Sequence, residues 1–371
     1  MSKIKAKIVV GLGYGDEGKG LTVNELCKTA KRPVVIRFSG GQQAGHTVHL
    51  GDVKHVCSNY GAGVLQDIPT YFTEHTTFYP TTIVREREVL LSKGVYDPIL
   101  VIHPMAKMTT PWDVYENRNC EDNLDHGTCG LGVGKTMNRS IKENLTLTAV
   151  DLMHMPTLKA KIVSIKEYYG DTAELIADNS QAKIDFLQEV EDFWSAIDVM
   201  EGIIGIARYD YLTDFKTLIF EGSQGILLDK DHGVFPNVTY SNTTSKNAMK
   251  VCDKLNIKKR RVYCATRAYH TRHGSGIFHD TEGIALLETQ HETNVNNEYQ
   301  KEFKTAPLDY SLLDHAVAIE SVYSEGYPQT LVVTCANQVP KRHQFDPMML
   351  NSEWDDLKMS YSVYGDFTGD Y

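Results

Sequence analysis

Residues 9 to 20 read Val-Val-Gly-Leu-Gly-Tyr-Gly-Asp-Glu-Gly-Lys-Gly, and no other stretch limits the fold as tightly. From Gly13 the spacing is G-x-x-x-x-G-K, the pattern of a phosphate-binding loop joining a buried strand to a helix. An apolar run, Ile8, Val9 and Val10, leads into it, and a helix-like segment from Leu21 to Cys27 leads out. The eighth position is Gly20, where the ordinary loop carries the Ser or Thr hydroxyl that holds magnesium. Another group must take that role. Asp16, inside the loop, can reach both a phosphate-bound cation and a substrate proton.

The rest of the chain alternates in the same way. Short β-branched runs recur at Ile4 to Val10, Pro33 to Phe38, Ile99 to Ile102, Thr217 to Phe220, Arg261 to Ala265 and Thr330 to Thr334. Helix-like segments lie between them at Thr82 to Lys93, Ile184 to Met200, Ser245 to Leu255 and Tyr310 to Glu325. The expected fold is α/β: a large, mostly parallel central sheet flanked by helices, with ligands at the C-terminal ends of the strands. No linker, repeat or low-complexity segment divides the 371 residues, so residues 1–371 are expected to form one domain with subdomain excursions.

A net charge of −10 and a pI near 5.8 argue against a nucleic-acid binder, which needs a basic face. The seven cysteines form no C-x-x-C pair and no zinc spacing. Without a signal peptide or an apolar run of membrane-spanning length, the expectation is a reduced cytoplasmic protein, in the host cytoplasm if the chain is viral, with no membrane partner.

A second glycine-rich turn, Gly40-Gly41-Gln42-Gln43-Ala44-Gly45-His46-Thr47, follows the run Val34 to Phe38. Further motifs are Gly127-Thr128-Cys129-Gly130-Leu131-Gly132-Val133-Gly134, Phe220-Glu221-Gly222-Ser223-Gln224-Gly225, Val238-Thr239-Tyr240-Ser241-Asn242-Thr243-Thr244 and Arg267-Ala268-Tyr269-His270-Thr271-Arg272-His273-Gly274-Ser275-Gly276. With the first loop these six ordered motifs resemble the adenylosuccinate synthetase family, whose signatures include W-G-D-E-G-K-G, G-G-x-N-A-G-H-T and K-A-Y-x-T-R-x-G-x-G. The resemblance implies a P-loop-like nucleotide-binding fold, a homodimer, and a ligase that joins L-aspartate to C6 of a 6-oxopurine nucleoside monophosphate through a 6-phosphoryl intermediate.

The same resemblance implies the site. Asp16 as base, His46 as acid, Lys19 and Gln224 carry the chemistry. Gly15, Glu17, Gly18, Lys19, Gly20, Gly45 and Thr47 hold the triphosphate, with Asn337 and Gln338 at its base. Asp16, Gln43, Ala44, Gly45, His46, Thr128, Cys129, Arg139, Gln224, Thr239 and His273 hold the monophosphate, Arg139 reaching across the dimer. Lys301, Lys304 and Thr305 take aspartate. The cofactor is magnesium (Mg2+), held by Asp16 and the Gly45 main-chain carbonyl. Asn242, Thr243 and Thr244 also read simply as a cap for a helix at Ser245.

Three departures from the family redirect the substrates. The guanine-reading T-K-x-D is Thr334-Cys335-Ala336-Asn337 here, and a neutral Asn cannot accept from both guanine N1–H and N2–H as an Asp does. Asn instead pairs with adenine's donor and acceptor edge, so ATP or dATP is the expected donor. Lysines replace the arginines of the aspartate loop, and the chain ends at Tyr371, short of typical members. These departures resemble the virus-type branch, which converts dGMP to N6-succinyl-2-aminoadenylate on the way to diaminopurine, although that branch often lacks the Asp retained here. GMP or dGMP is therefore the favoured acceptor and IMP the second. From other classes, a nucleotide switch would carry Ser or Thr after the loop lysine. A nicotinamide enzyme would want an acidic residue where Arg37-Phe38-Ser39 stands.

Overall fold

The computed structural model describes residues 4–119, 128–170, 180–278, 283–287, 303–362 and 367. Their strands, in chain order, are β1 (Lys5–Gly11), β2 (Pro33–Arg37), β3 (His46–Leu50), β4 (Val53–Cys57), β5 (Thr70–Phe72), β6 (Thr77–Phe78), β7 (Leu100–Ile102), β8 (Lys107–Met108), β9 (Ile204–Ile206), β10 (Thr217–Glu221), β11 (Lys259–Arg267), β12 (Tyr269–His273), β13 (Phe303–Pro307), β14 (Gln329–Thr334) and β15 (Asp356–Met359). Nine of them form one sheet in the order β15-β14-β11-β1-β10-β2-β5-β7-β9. Every pairing in it is parallel. Two antiparallel pairs, β3 with β4 and β12 with β13, stand outside it.

An all-parallel sheet must be covered on both faces, which is why its strands read as unbroken apolar runs. Ile8, Val9 and Val10 are each fully buried. Alternate residues then divide between two cores. On one face Val9, Val35 and Ile219 pack with Val23 and Leu26 of α1 (Lys19–Lys28), Ile83 and Leu90 of α2 (Pro80–Ser92), and the later Phe186 and Phe193. On the other, Ile8, Val10, Ile36 and Phe220 join Ala248 and Val251, and Leu313 and Ala316. The helices α3 (Pro111–Asn119), α4 (Val133–Lys142), α5 (Met155–Tyr168), α6 (Gln181–Met200), α7 (Lys246–Lys254) and α8 (Tyr310–Ser324) complete the described set. Strands and helices foreseen from the sequence lie within a few residues of those observed. The short sheet strands β5 and β9, and β15, went unforeseen because three or four residues carry too little periodicity. No described helix is long and apolar enough to cross a membrane.

The start of α7 corrects one expectation. The N-cap position, Ser245, makes no side-chain cap, and Thr243 is turned away, donating its N–H to Asp229 and its hydroxyl to Gly225 O. The Ser245 N–H instead donates to Glu320 of α8 at 2.9 Å. Glu320 is completely buried, and burial raises its carboxyl from 4.5 to about 7. A raised folded-state value means that the folded chain holds the proton more tightly. Stability from this group is therefore full below the unfolded-state value and declines as pH rises through 7. Glu320→Gln, which keeps the acceptor and removes the ionisation, should match the wild type at about pH 4 and exceed it by on the order of 1–3 kcal/mol at about pH 8. Melting temperatures at both pH values test this, and an equal difference at each would refute it.

Candidate active site

Five neighbouring strands, β14, β11, β1, β10 and β2, deliver five of the sequence motifs from their C-terminal ends. Residues 12–18 follow β1, residues 38–45 follow β2, residues 222–225 follow β10, β12 continues β11 after Ala268, and residues 335–338 follow β14. Motifs from the two ends of the chain, with Glu17 and Thr334 lying 317 residues apart, thus share one edge, with β1 at its centre. This is the position the fold rule gives to a nucleotide site.

The loop after β1 is closed by its own charges. Lys19 is almost wholly buried, donating to Gly15 O at 2.6 Å and to Glu17 Oε2 at 2.7 Å. Glu17 Oε1 accepts from the Gly15 N–H at 2.6 Å. This differs from the arrangement expected from sequence, in which Lys19 and the Gly15 N–H both face a phosphate. Here the Glu17 carboxylate takes the donors an entering phosphate would want, so that phosphate has to compete for them. Gly18, with φ 81°, caps α1 in the left-handed region, where a Cβ would also meet Thr334 Cγ2 at 2.7 Å.

His46 opens β3, and its Nδ1 lies 2.7 Å from Glu221 Oε1. Both side chains are buried. Burial would push the Glu221 carboxyl up, but His46, the Arg37 guanidinium and the Ala62 N–H outweigh it and hold the group ionised below its usual range. The charged Glu221 accepts a hydrogen bond from Nδ1–H, which leaves Nε2 as the working nitrogen; burial draws the imidazole down. Glu221 went unassigned in the sequence, yet a carboxylate ending the wholly buried strand Thr217–Glu221 was signal enough that a partner had to exist. His46 also explains Gly20. A Cβ there would stand 2.5 Å from His46 Cβ, so the His46 side chain leaves no room for the Ser or Thr of an ordinary P-loop.

Asp16 is half-buried, and burial raises its carboxyl, with Arg267 and His273 pulling the other way. His273 Nε2 lies 3.5 Å from Asp16 Oδ2, and Arg267 donates from Nε to the Asp16 main-chain oxygen. Arg267 is a second residue the sequence reading passed over. Three of the expected monophosphate contacts, Gln43 Oε1, Gln224 Oε1 and His273 Nδ1, are buried polar atoms without a protein partner. Gln224 also adopts φ 56°, a left-handed conformation costly for a side-chain residue. Unmet polar atoms and local strain are what a ligand site carries before its ligand arrives.

Comparison with known proteins agrees with this geometry. The family model for adenylosuccinate synthetase matches residues 8–326. The chain belongs to that family. The synthetase of Clostridium botulinum strain Alaska E43 is 29% identical over 388 residues, covering 99% of this chain and 88% of that one. The synthetase of Thermodesulfovibrio yellowstonii is 31% identical over 284 residues, covering 73% of this chain and 64% of its own. Two solved structures share the fold. The fully ligated Plasmodium falciparum adenylosuccinate synthetase has a TM-score of 0.67 at 20% identity, covering 89% of this chain and 77% of that one. The cyanophage S-2L succinoaminodeoxyadenylate synthetase, solved with dGMP and with dATP as energy donor, has a TM-score of 0.69 at 14% identity, covering 98% and 95%. As a family member the chain is a C–N bond-forming ligase of the adenylosuccinate synthetase type, acting on a nucleoside monophosphate, aspartate and a triphosphate.

Several outlying members of the expected adenylosuccinate synthetase site have a settled environment. Thr128 Oγ1 accepts from Asn117 Nδ2 at 3.0 Å, and burial raises the thiol of Cys129 beside it. Thr239 is half-buried, with its N–H bonded to Leu228 O at 2.8 Å. Lys304 and Thr305 lie on β13 opposite Arg272 and Thr271, whereas Lys301 falls outside the described residues. Arg139 requires a correction. It is completely buried in its own subunit, bidentate to Asp113 at 2.8 and 2.9 Å and donating to Leu145 O and Met108 O. Four of its five N–H donors are spent inside its own subunit, two of them tying α4 to α3, which holds it away from a partner's phosphate. For Gly20→Ser, which would restore the ordinary P-loop hydroxyl, the clash with His46 predicts a loss of kcat of about 10²-fold rather than tighter magnesium use. Steady-state rates across a magnesium titration give the answer, and an unchanged kcat would refute the packing argument.

Proposed function

We propose that this ligase joins L-aspartate to GMP or dGMP, giving a 2-aminoadenylosuccinate, with ATP or dATP as phosphoryl donor. The observation that carries the reading is Asn337. It sits in the short turn Ala336–Gln338 that follows β14, entered through Cys335 at φ 56°, where the family's guanine-reading carboxylate would stand. A carboxamide there leaves one guanine donor unmet and complements adenine. Asp16 favours a second reading, IMP as acceptor, because its carboxylate suits the N1–H of any 6-oxopurine. The aminated acceptor is preferred because His273, with Nε2 toward Asp16, leaves Nδ1 as a buried acceptor beside the base, and a purine 2-amino group supplies the matching donor.

In this reading Asp16 removes N1–H, its basicity raised by burial, while His46, held through Nδ1 by Glu221, donates to O6 from Nε2 in its protonated form, which the Glu221 carboxylate favours. Gln43, Gln224, Thr128 and Thr239 hold the monophosphate, and Lys304 and Thr305, with Lys301, take the aspartate carboxylates. The hard oxygen donors of Asp16 and the Gly45 carbonyl fit magnesium, since Gly45 is exposed and the Asp16 carboxylate meets the His273 imidazole only at 3.5 Å. When bound, magnesium would offset the triphosphate's charge. Lys19 reaches a phosphate by exchanging Glu17 for it.

Two measurements test the assignment. Pairing IMP, GMP or dGMP with ATP, dATP or GTP in the presence of aspartate should give succinylated product best with GMP or dGMP and an adenine donor. A buried unpaired edge costs about 1–3 kcal/mol, so GTP should fall about tenfold or more in kcat/KM. Equal use of GTP would overturn the donor reading, and product from IMP alone would move the enzyme to the ordinary acceptor. Asp16→Asn should leave the fold intact and lower kcat by about 10²–10⁴-fold; near-normal turnover would mean the base lies elsewhere.

A further inference from the structure

The loop that carries Asp16 is fastened to the turn that carries Asn337 by a directed chain of hydrogen bonds. Arg267, the last residue of β11, donates from Nε to the Asp16 main-chain oxygen and from Nη1 to the Tyr269 hydroxyl at 2.5 Å. The Tyr269 hydroxyl lies 2.6 Å from Gln338 Oε1, and Gln338 closes the turn after β14. Arg267, Tyr269 and Gln338 are exposed by only 7%, 1% and 4%, so water does not short-circuit the chain.

Its direction is fixed by chemistry. Arginine can only donate, so the Tyr269 oxygen is an acceptor toward Arg267 and must send its own proton to Gln338. That in turn sets which way the Gln338 amide points. A second tether runs in parallel, from Thr334 Oγ1 to the Glu17 main-chain oxygen at 3.0 Å. The consecutive carbonyls of Asp16 and Glu17 are therefore gripped from the ends of β11 and β14. The family motif has lysine where Arg267 stands, and a lysine ammonium has no planar fork to fix two partners at once.

We propose that Arg267, Tyr269 and Gln338 form a positioning relay: filling the donor-base turn sets the Gln338 amide, and the relay carries that change to the loop holding Asp16. None of the three needs to touch the reacting atoms. The inference rests on the reading of Asn337 as the donor-base residue, and it makes chemistry at one strand end depend on occupancy at another. A purely structural chain would support melting temperature and donor KM and leave the chemical step untouched.

Tyr269→Phe, Gln338→Leu and the double variant separate these cases, assayed with saturating aspartate, ATP and the acceptor that the wild type uses. Gln338→Met replaces the leucine if that variant does not fold. Tyr269→Phe keeps the ring and should keep KM for the monophosphate, while kcat falls about tenfold. Gln338→Leu should lower kcat similarly, and the double variant should fall no more than about twofold below the worse single, because both cut one connection. An unchanged kcat with only a lower melting temperature or a higher donor KM overturns the relay, as do losses that multiply. A wild type inactive on every purine monophosphate removes the reading of the turn and the relay with it. An active wild type with multiplying losses removes the relay alone.

Discussion

Parallel pairing of β1 with β10 on one side and β11 on the other is the constraint on which the site depends. Because all nine strands of the sheet run the same way, every strand's C-terminal end lies on one edge. Each motif needs only to follow its strand to join the others. The loop after β1 gains most from this. It has neighbours on both flanks, so Gln224 is carried beside Gly15 from one side and Arg267 and Thr334 reach the carbonyls of Asp16 and Glu17 from the other. A loop at a sheet margin would have had one flank only.

The second recurring feature is buried charge that is paired inside the chain. Glu17 with Lys19, Glu221 with His46, and Asp113 with Arg139 are all removed from water. Such pairs stabilise little after desolvation, but losing one partner strands the other at a cost of about 3–5 kcal/mol. They act as orienting devices. Glu221 selects the His46 tautomer, Glu17 keeps the loop closed around its own lysine, and Arg139 locks α3 to α4. Glu86 belongs with them. It lies beside His55 and Cys57 in a group whose ligand atoms fall within 4.8 Å, yet its oxygens already accept from the N–H groups of Ser58, Asn59 and Tyr60 and from the Asn59 side chain. The trio is a filled hydrogen-bond centre holding the segment after β4 against α2.

How much of the site was legible depended on how local the signal was. Asp16, Lys19, His46 and Gln224 could be named because each sits within a motif of glycines and polar residues that a packed core has no use for. Arg139 was misassigned for the converse reason: nearness in sequence to a glycine-rich loop says nothing about Asp113, twenty-six residues earlier, which holds it. Glu320 as the cap of α7 was equally invisible, since its partner Ser245 lies seventy-five residues away.

By itself the sequence determined the alternation of strand and helix, the parallel sheet and the family, because strand burial on both faces and close backbone approach to phosphate demand particular residues at particular spacings. It also determined that residue 337 offers a carboxamide and residue 16 a carboxylate. Only the tertiary structure decided which charge meets which. That Lys19 faces Glu17 follows from how the loop after β1 closes, and that Gly20 yields its space to His46, that Glu221 holds the imidazole and that Arg267 grips the Asp16 carbonyl follow from the strand order. A buried charge must take whatever partner the packing brings within about 3 Å, and the chain's order does not name that partner.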